Sequence, residues 1–366
     1  MKLREVELRR IHLPLVAPFR ASIGTLNHRD VLLVHVVGDE GEGWGECSAF
    51  GEPFYSYEYT DGAHDVIRRH VLPRLFAQRD VAAEDISRIL APVRGHPMAK
   101  AAVEMAVLDA ELRAAGRSFA DYLGASRTKV DCGVSVGIHE RVADLLRTVE
   151  GYLSDGYKRI KLKIEPGHDV EDVRAVREAF GDILLQVDAN TAYTRADASH
   201  LAQLDDFDLL LIEQPLPEDD VLGHAEVAQV VCTPICLDES ITSAQAAGDA
   251  IAIGACSIVN IKAGRVGGYL EARRVHDVCA ANGVPVWCGG MLETGLGRAA
   301  NVALAAMPNF TLPGDTSASG RYYAQDIVEP FVLEDGTLRV PTGPGLGVSP
   351  LEDELERFTV AVELCR

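Results

Sequence analysis

The sequence contains no CxxC pair, and its eight cysteines (Cys47, Cys132, Cys232, Cys236, Cys256, Cys279, Cys288, Cys365) are scattered through apolar segments. That pattern excludes a disulfide framework and a thiolate zinc site, and it reads the thiols as small buried hydrophobes kept reduced. Also absent are any run approaching about 18 consecutive apolar residues and an N-terminal apolar stretch of signal length, since the chain opens with the charged MKLREVELRR. The expectation is a cytoplasmic protein with no membrane partner. Basic residues are in deficit, 35 Lys and Arg against 55 Asp and Glu, for a formal charge of −20. Nucleic acid and anionic bilayers are repelled by such a mean field. A small anionic substrate held by local lysines is not.

What is present is the composition of an ordinary globular protein, 47% hydrophobic and 25% charged. At 366 residues the chain is too long for one core. A strand–helix barrel of about 250 residues plus a second domain of about a hundred is the natural partition.

Residues 1–125 are expected to form an α+β capping domain. VELRRIHLPL, VLLVHVV and GWGECSAF read as a three-stranded antiparallel meander. A loop, APFRASIGTLNHRD, separates the first two strands and carries Phe19; the aromatic-rich FGEPFYSYEYT, with Phe50 and Tyr55, follows the third. From composition these rings equally suit packing beneath a long loop. Apolar spacing of three and four then predicts helices from about 60 to 124, the last long one ending at Gly116. Residues 126–320 are expected to form a (β/α)8-type barrel, an α/β fold. Its eight strands are DCGVSVGI, RIKLKI, ILLQVDA, LLLIEQ, PICLDE, CSIVNIK, PVWCGGM and TLPGD, alternating with helical segments. Residues 321–366 break the pattern and are placed back against the capping domain.

Within the barrel, charged residues recur near strand ends: Lys163, Asp188, Glu213, Asp238 and Lys262, at steps of 25, 25, 25 and 24. One strand, one helix and two short loops occupy about that length. Functional side chains of such barrels sit at the C-terminal strand ends. Counting from the strand with Ser135, Lys161 and Lys163 fall on strand two and Lys262 on strand six, diametrically opposite, with the three acids on the arc between.

Any one of these acids alone would read as a solvated strand end or helix N-cap. Three of them at even spacing, with no His or Cys companion, suit a hard cation, Mg²⁺ or Mn²⁺. Without a metal, three clustered carboxylates are expected to raise one another's pKa. Lys161 and Lys163, two apart on one strand, share a face. Their repulsion and the metal are expected to lower the pKa of Lys163 toward that of a general base, leaving the other lysine charged to pair with a substrate carboxylate. A Schiff-base lysine would not need the three acids. A base beside a metal-chelated carboxylate can remove the proton α to it. Reprotonation from the opposite lysine then inverts the centre, and loss of a β leaving group eliminates.

KLKIEPG, QVDANTAY, LIEQPL, CLDESI, NIKAGRVGG and CGGMLETGLG resemble the enolase superfamily in its muconate-lactonizing-enzyme subgroup, and most specifically the o-succinylbenzoate synthase / N-acylamino acid racemase branch. The resemblance covers nearly the whole chain. It implies Asp188, Glu213 and Asp238 as Mg²⁺ ligands and Lys163 and Lys262 as the acid/base pair. It further implies Ser135, Lys161, Asn190 and Leu292 in substrate contact, with Phe19, Phe50 and Tyr55 on capping loops over the barrel mouth. The implied reaction is o-succinylbenzoate synthesis, with N-acylamino acid racemization as a second activity or the sole one. Dipeptide epimerases look similar but characteristically carry a DxD motif on strand eight, where GDTSAS has only Asp315. Cycloisomerases share the lysines and acids, and a non-catalytic metal- and ligand-binding barrel would have lost one of them. By analogy the protein is expected to be a homo-oligomer.

Overall fold

A computed structural model describes residues 1–366. Its N-terminal part is a four-stranded sheet, β1 (Leu3–Ala21), β2 (Gly24–Gly38), β3 (Glu42–Cys47) and the C-terminal β13 (Thr359–Cys365), in the order β13-β1-β2-β3. Alternation sets its faces: Val6, Leu8, Ile11, Val34 and Val36 are buried, while Glu7, Arg9 and His35 between them are not. The helix Pro97–Ala114 packs on this sheet, and its first N–H groups, Met98 and Ala99, donate to Glu58. The approach is close enough to require glycine in β3: a Cβ on Gly45 would stand 2.0 Å from the Ala102 carbonyl oxygen, and one on Gly43 2.3 Å from the Ala110 nitrogen.

The expected loop between the first two strands is instead the end of a long hairpin. Pairing resumes beyond an irregularity between Pro14 and Phe19, with Phe19 opposite Leu26 and Ala21 opposite Gly24. Two prolines and the polar stretch mask the strand signal, yet the hairpin needs only Ser22 and Ile23 to turn. Its tip lies over the barrel: Ser22 Oγ donates to the Ala189 carbonyl at 3.0 Å, and Ile138 N donates to the Arg20 carbonyl at 3.0 Å.

The barrel follows. After β4 (Lys129–Asp131), seven parallel strands run β5 (Gly133–Val136), β6 (Arg159–Lys163), β7 (Leu184–Asp188), β8 (Ile212–Glu213), β9 (Ile235–Leu237), β10 (Ile258–Ile261) and β11 (Val286–Cys288), each paired with its neighbours in that order. The intervening helices include Val142–Ser154, Val170–Phe180 and Tyr269–Ala281, where the apolar periodicity predicts them. The eighth predicted strand, TLPGD, does not form a regular strand. Pro313 lacks an N–H for a ladder, and residues 310–315 close the ring through single bridges, Val286 with Phe310 and Cys132 with Gly314. Gly133 N donates to Gly314 O at 2.7 Å and Asp315 N to Cys288 O at 2.8 Å.

The C-terminal tail divides its contacts. β12 (Thr337–Arg339) pairs antiparallel with β4 at the foot of the barrel, and β13 pairs with β1. No helix is long and apolar enough to cross a membrane.

Candidate active site

The register of the parallel sheet assembles the site in layers. Lys163 of β6 is opposite Asp188 of β7, which is opposite Glu213 of β8, while Lys161, two residues deeper, is opposite Ser135 and Gln186. Ile160 and Leu162 face the surrounding helices and are buried there. Asp238 and Lys262 follow β9 and β10 directly. Lys163 and Lys262 thus rise from strands four places apart around the ring.

Both amines line one cavity, together with Ser135, Lys161, Asn190, Leu292, Phe19, Phe50 and Tyr55. The structure therefore brings every residue expected to touch substrate to a single mouth. Ile23, Leu26, Phe54, Met291 and Tyr322 complete an apolar wall that sequence reasoning missed. Asp188, Glu213 and Asp238 lie immediately behind, with exposures of 0, 0 and 1%. Backbone conformation is unusual at the strand ends: Asn190 (φ 40°), Gln214 (φ 39°) and Leu292 (φ 55°) are left-handed non-glycine residues, a strain that clusters at working sites.

Each acid faces an ammonium. Lys163 Nζ lies 2.6 Å from Asp188 Oδ2 and also donates to Asn190 Oδ1 at 2.5 Å. Lys262 Nζ lies 2.5 Å from Asp238 Oδ2 and donates to the Tyr55 hydroxyl at 2.8 Å. Lys161 Nζ is 3.1 Å from both Asp188 Oδ2 and Glu213 Oε2, and 2.7 Å from Asp315 Oδ2. Asn260 Nδ2 donates to Glu213 Oε1 at 2.7 Å. Asn190 Nδ2 donates to Glu239 Oε1 at 2.9 Å.

These contacts revise the expected electrostatics. Burial and the neighbouring Asp188 hold Glu213 well above the usual carboxylate range, as three clustered acids should. Asp188 goes the other way: burial alone would raise it, but Lys163 and Lys161 pull it far below that range. Burial likewise opposes charge on Lys161 and Lys262, yet their acid neighbours, Asp315 and Asp238 foremost, raise both and keep them cationic. Burial, then Asp238, pushes Glu239 up to about 7.

No three Asp, Glu, His or Cys side chains converge on a common point in this arrangement, because lysine amines stand among the acids. The donor set nevertheless fits a hard cation. Asp238 Oδ1 and Glu239 Oε2 are buried oxygens without a hydrogen-bond partner, and the acids around them are oxygen-only donors. A cation would take over the contacts that the lysines now make.

Asn260, Glu239 and Asp315 were not singled out from sequence as part of the site. Asn260 carried a usable signal, standing two residues before Lys262 as Lys161 stands before Lys163, and so sharing its face. Asp315 carried a positional signal, as the last residue of the predicted eighth strand TLPGD, although its partner Lys161 is 154 positions away.

The comparisons with known proteins agree with this fold. Residues 4–124 match the model of the mandelate racemase / muconate lactonizing enzyme N-terminal domain, and residues 144–354 that of the enolase C-terminal domain-like family. The chain is 66% identical over 362 residues to an N-succinylamino acid racemase of Amycolatopsis, covering 99% of this chain and 98% of that protein. It is 46% identical over 361 residues to an o-succinylbenzoate synthase of Geobacillus kaustophilus, covering 98% and 96%. A crystal structure of an enolase superfamily member from Listeria innocua superimposes with a TM-score of 0.95 at 42% identity, covering 100% of this chain and 99% of that one. The chain belongs to the enolase superfamily, with the N- and C-terminal domains of its mandelate racemase / muconate lactonizing enzyme group.

Proposed function

We propose that the protein is an o-succinylbenzoate synthase that also racemizes N-succinylamino acids in the same site. The observation that carries this reading is the pair of amines, Lys163 and Lys262, reaching one apolar-walled cavity from opposite sides of the barrel. Two relatives with these two activities, at 66% and 46% identity over almost the whole chain, support it.

Members of this family generally depend on a divalent metal. In this chain Asp188, Glu213 and Asp238 would hold Mg²⁺, which supplies positive charge to a substrate carboxylate as its α-carbon becomes anionic. The protein's own residues do the rest. Lys163 Nζ takes the α-proton, and the C–H electron pair moves toward the carboxylate. In dehydration that pair then forms the new C=C bond as the β C–O bond breaks, and the departing hydroxide takes the proton from Lys163 and leaves as water. Lys262, kept cationic by Asp238, stabilises the developing negative charge. In racemization one lysine takes the proton from one face and the other delivers a proton to the opposite face. Lys161 offers its ammonium to the substrate carboxylate, beside Ser135, Asn190 and Leu292. Phe19, Phe50 and Tyr55 exclude water and pack on the apolar part of the substrate.

The second reading is a dedicated N-succinylamino acid racemase, which the 66% likeness to the Amycolatopsis protein favours. Parallel rate measurements with the cyclohexadiene substrate and with a panel of N-succinylamino acids decide between them. Fast racemization without dehydration leaves the racemase alone, and turnover of neither returns the question to cycloisomerases or a non-catalytic binding barrel. The synthase reading implies a role in menaquinone biosynthesis in the cytoplasm, acting on small carboxylates, and analogy with other barrels of this class supports a homo-oligomer.

A further inference from the structure

Lys161 has more counter-ions than it needs to be charged, and one of them belongs to neither the metal set nor the strands that carry it. Asp315 sits on the seam that closes the barrel, its backbone N–H bonded to Cys288 O at 2.8 Å and its neighbour Gly314 bridged to β5 through Gly133. Its two oxygens divide between two cations: Oδ2 lies 2.7 Å from Lys161 Nζ and Oδ1 2.9 Å from Arg159 Nη1.

Arg159 is wholly buried below the site. It donates to Pro313 O at 2.8 Å, and its guanidinium lies 5.1 Å from the Trp287 ring centre, with Lys161 Nζ 4.7 Å from the same ring. Gly133 leaves the guanidinium its room, since a Cβ there would stand 2.2 Å from Arg159 Cζ. Arg159, Asp315 and Lys161 form a ladder fixed at the seam.

Lys161 Nζ also faces Asp188 and Glu213, each at 3.1 Å. An ammonium between acids moves toward those that remain when one is removed, because the attraction grows as distance falls. Without Asp315, Lys161 would settle on Asp188 and Glu213, the acids proposed to hold the cation, and would compete with it for their oxygens.

We infer that Asp315 is a positioning residue that draws the Lys161 ammonium toward the barrel seam and so leaves Asp188 and Glu213 free for a divalent cation. The inference rests on the proposed metal site and adds to it a residue that touches neither metal nor reacting carbon.

The test is calorimetric titration of the metal-stripped full-length protein with MgCl2, which reads binding without turnover. Asp315→Asn is expected to weaken Mg²⁺ binding about tenfold. Asp315→Glu keeps the charge but lengthens the arm, and is expected to fall between Asn and the parent. In a Lys161→Met background, where no ammonium competes, Asp315→Asn should change Mg²⁺ affinity by less than about twofold; such a cycle isolates the coupling between the pair. A loss of affinity equally large in both backgrounds would overturn the inference, since Asp315 would then act through the fold. Undiminished affinity in Asp315→Asn would also overturn it. Absence of Mg²⁺ binding by the parent would instead overturn the metal site itself. Should Asp315→Asn not fold, the comparison of Asp315→Glu with and without Lys161→Met decides by the same criterion.

Discussion

The protein buries carboxylates in two places and compensates them differently. At the barrel mouth Asp188, Glu213 and Asp238 face the ammoniums of Lys161, Lys163 and Lys262. At the seam between cap and barrel, buried glutamates face helix N-termini instead. Glu46 of β3 accepts from Thr294 N at 3.0 Å, Thr294 Oγ1 at 2.6 Å and Gly297 N at 2.9 Å, capping the helix Gly295–Ala305. Glu104 of the cap helix accepts from Leu270 N at 3.1 Å at the start of the helix Tyr269–Ala281. A Cβ on Gly268 would stand 2.2 Å from Glu104 Oε1, so only glycine admits this approach. Fixed dipoles can offset a buried charge but cannot leave it. Ammonium ions can be exchanged for a cation or a substrate. The difference separates a mouth built for exchange from a seam built for permanence.

The largest effects that would break this contrast come from the two lysines. Lys163→Ala and Lys262→Ala should each lower turnover by about 10³-fold, within the range of acid–base catalysis, and Lys163→Ala should abolish α-proton exchange in D₂O for the substrate enantiomer whose proton faces Lys163 while leaving exchange of the other to Lys262. Exchange at the parent's rate would remove Lys163 from the base role. The two variants should differ in stability. Asp188 keeps Lys161 when Lys163 is lost, whereas Asp238 loses its only ion-pair partner with Lys262 and is left as an uncompensated buried charge, costing about 3 kcal/mol. Urea unfolding of both variants without metal reads that difference. Equal losses would mean that Lys262 does not hold Asp238.

Tyr55→Phe removes the hydroxyl that accepts from Lys262 Nζ at 2.8 Å and keeps the ring against Phe50. A hydrogen bond to a charged group is worth about 1.5 kcal/mol, so turnover should fall roughly tenfold, with KM changing less. A large KM change with constant kcat would make Tyr55 a packing residue only.

On the seam the effect falls on stability rather than on turnover. Glu46→Ala strands the Thr294 and Gly297 N–H groups and should cost about 2 kcal/mol of stability, while kcat per folded molecule stays within about twofold. A tenfold loss of kcat would show that the seam and the mouth are one unit.

Much of the mouth was legible because a parallel barrel repeats. Evenly spaced Lys163, Asp188, Glu213, Asp238 and Lys262 on alternating strands and helices give strand order, and strand order gives which side chains face each other. The seam was illegible for the opposite reason. Glu46 and Thr294 are 248 positions apart, and nothing in GWGECSAF marks that glutamate as a helix cap. Asp315 likewise acts across the closure, on a Lys161 far from it in the sequence. The hairpin tip was missed because Pro14 and Pro18 interrupt the alternation that signals a strand, although the pairing of Phe19 with Leu26 carries the tip over the barrel.

The finest test of the contrast is pH. Burial pushes both Glu46 and Glu104 up to about 7, against the hydrogen bonds that favour their charged forms. A carboxyl raised in this way binds its proton more tightly in the folded state. Its stabilising contribution is complete below the usual glutamate value, near 4.5, and is lost as pH rises through about 7. Glu46→Gln removes that titration while keeping an oxygen for Thr294 N. The variant should melt below the parent at pH 5.5, and the gap should narrow by roughly 1–2 °C by pH 8, the shift expected for a change on the order of 1 kcal/mol in a chain of this size. Melting of parent and variant at matched ionic strength, across that range, measures it. A constant gap would mean that Glu46 is already charged at pH 5.5, held so by the helix dipole, and that seam and mouth both bury true carboxylates.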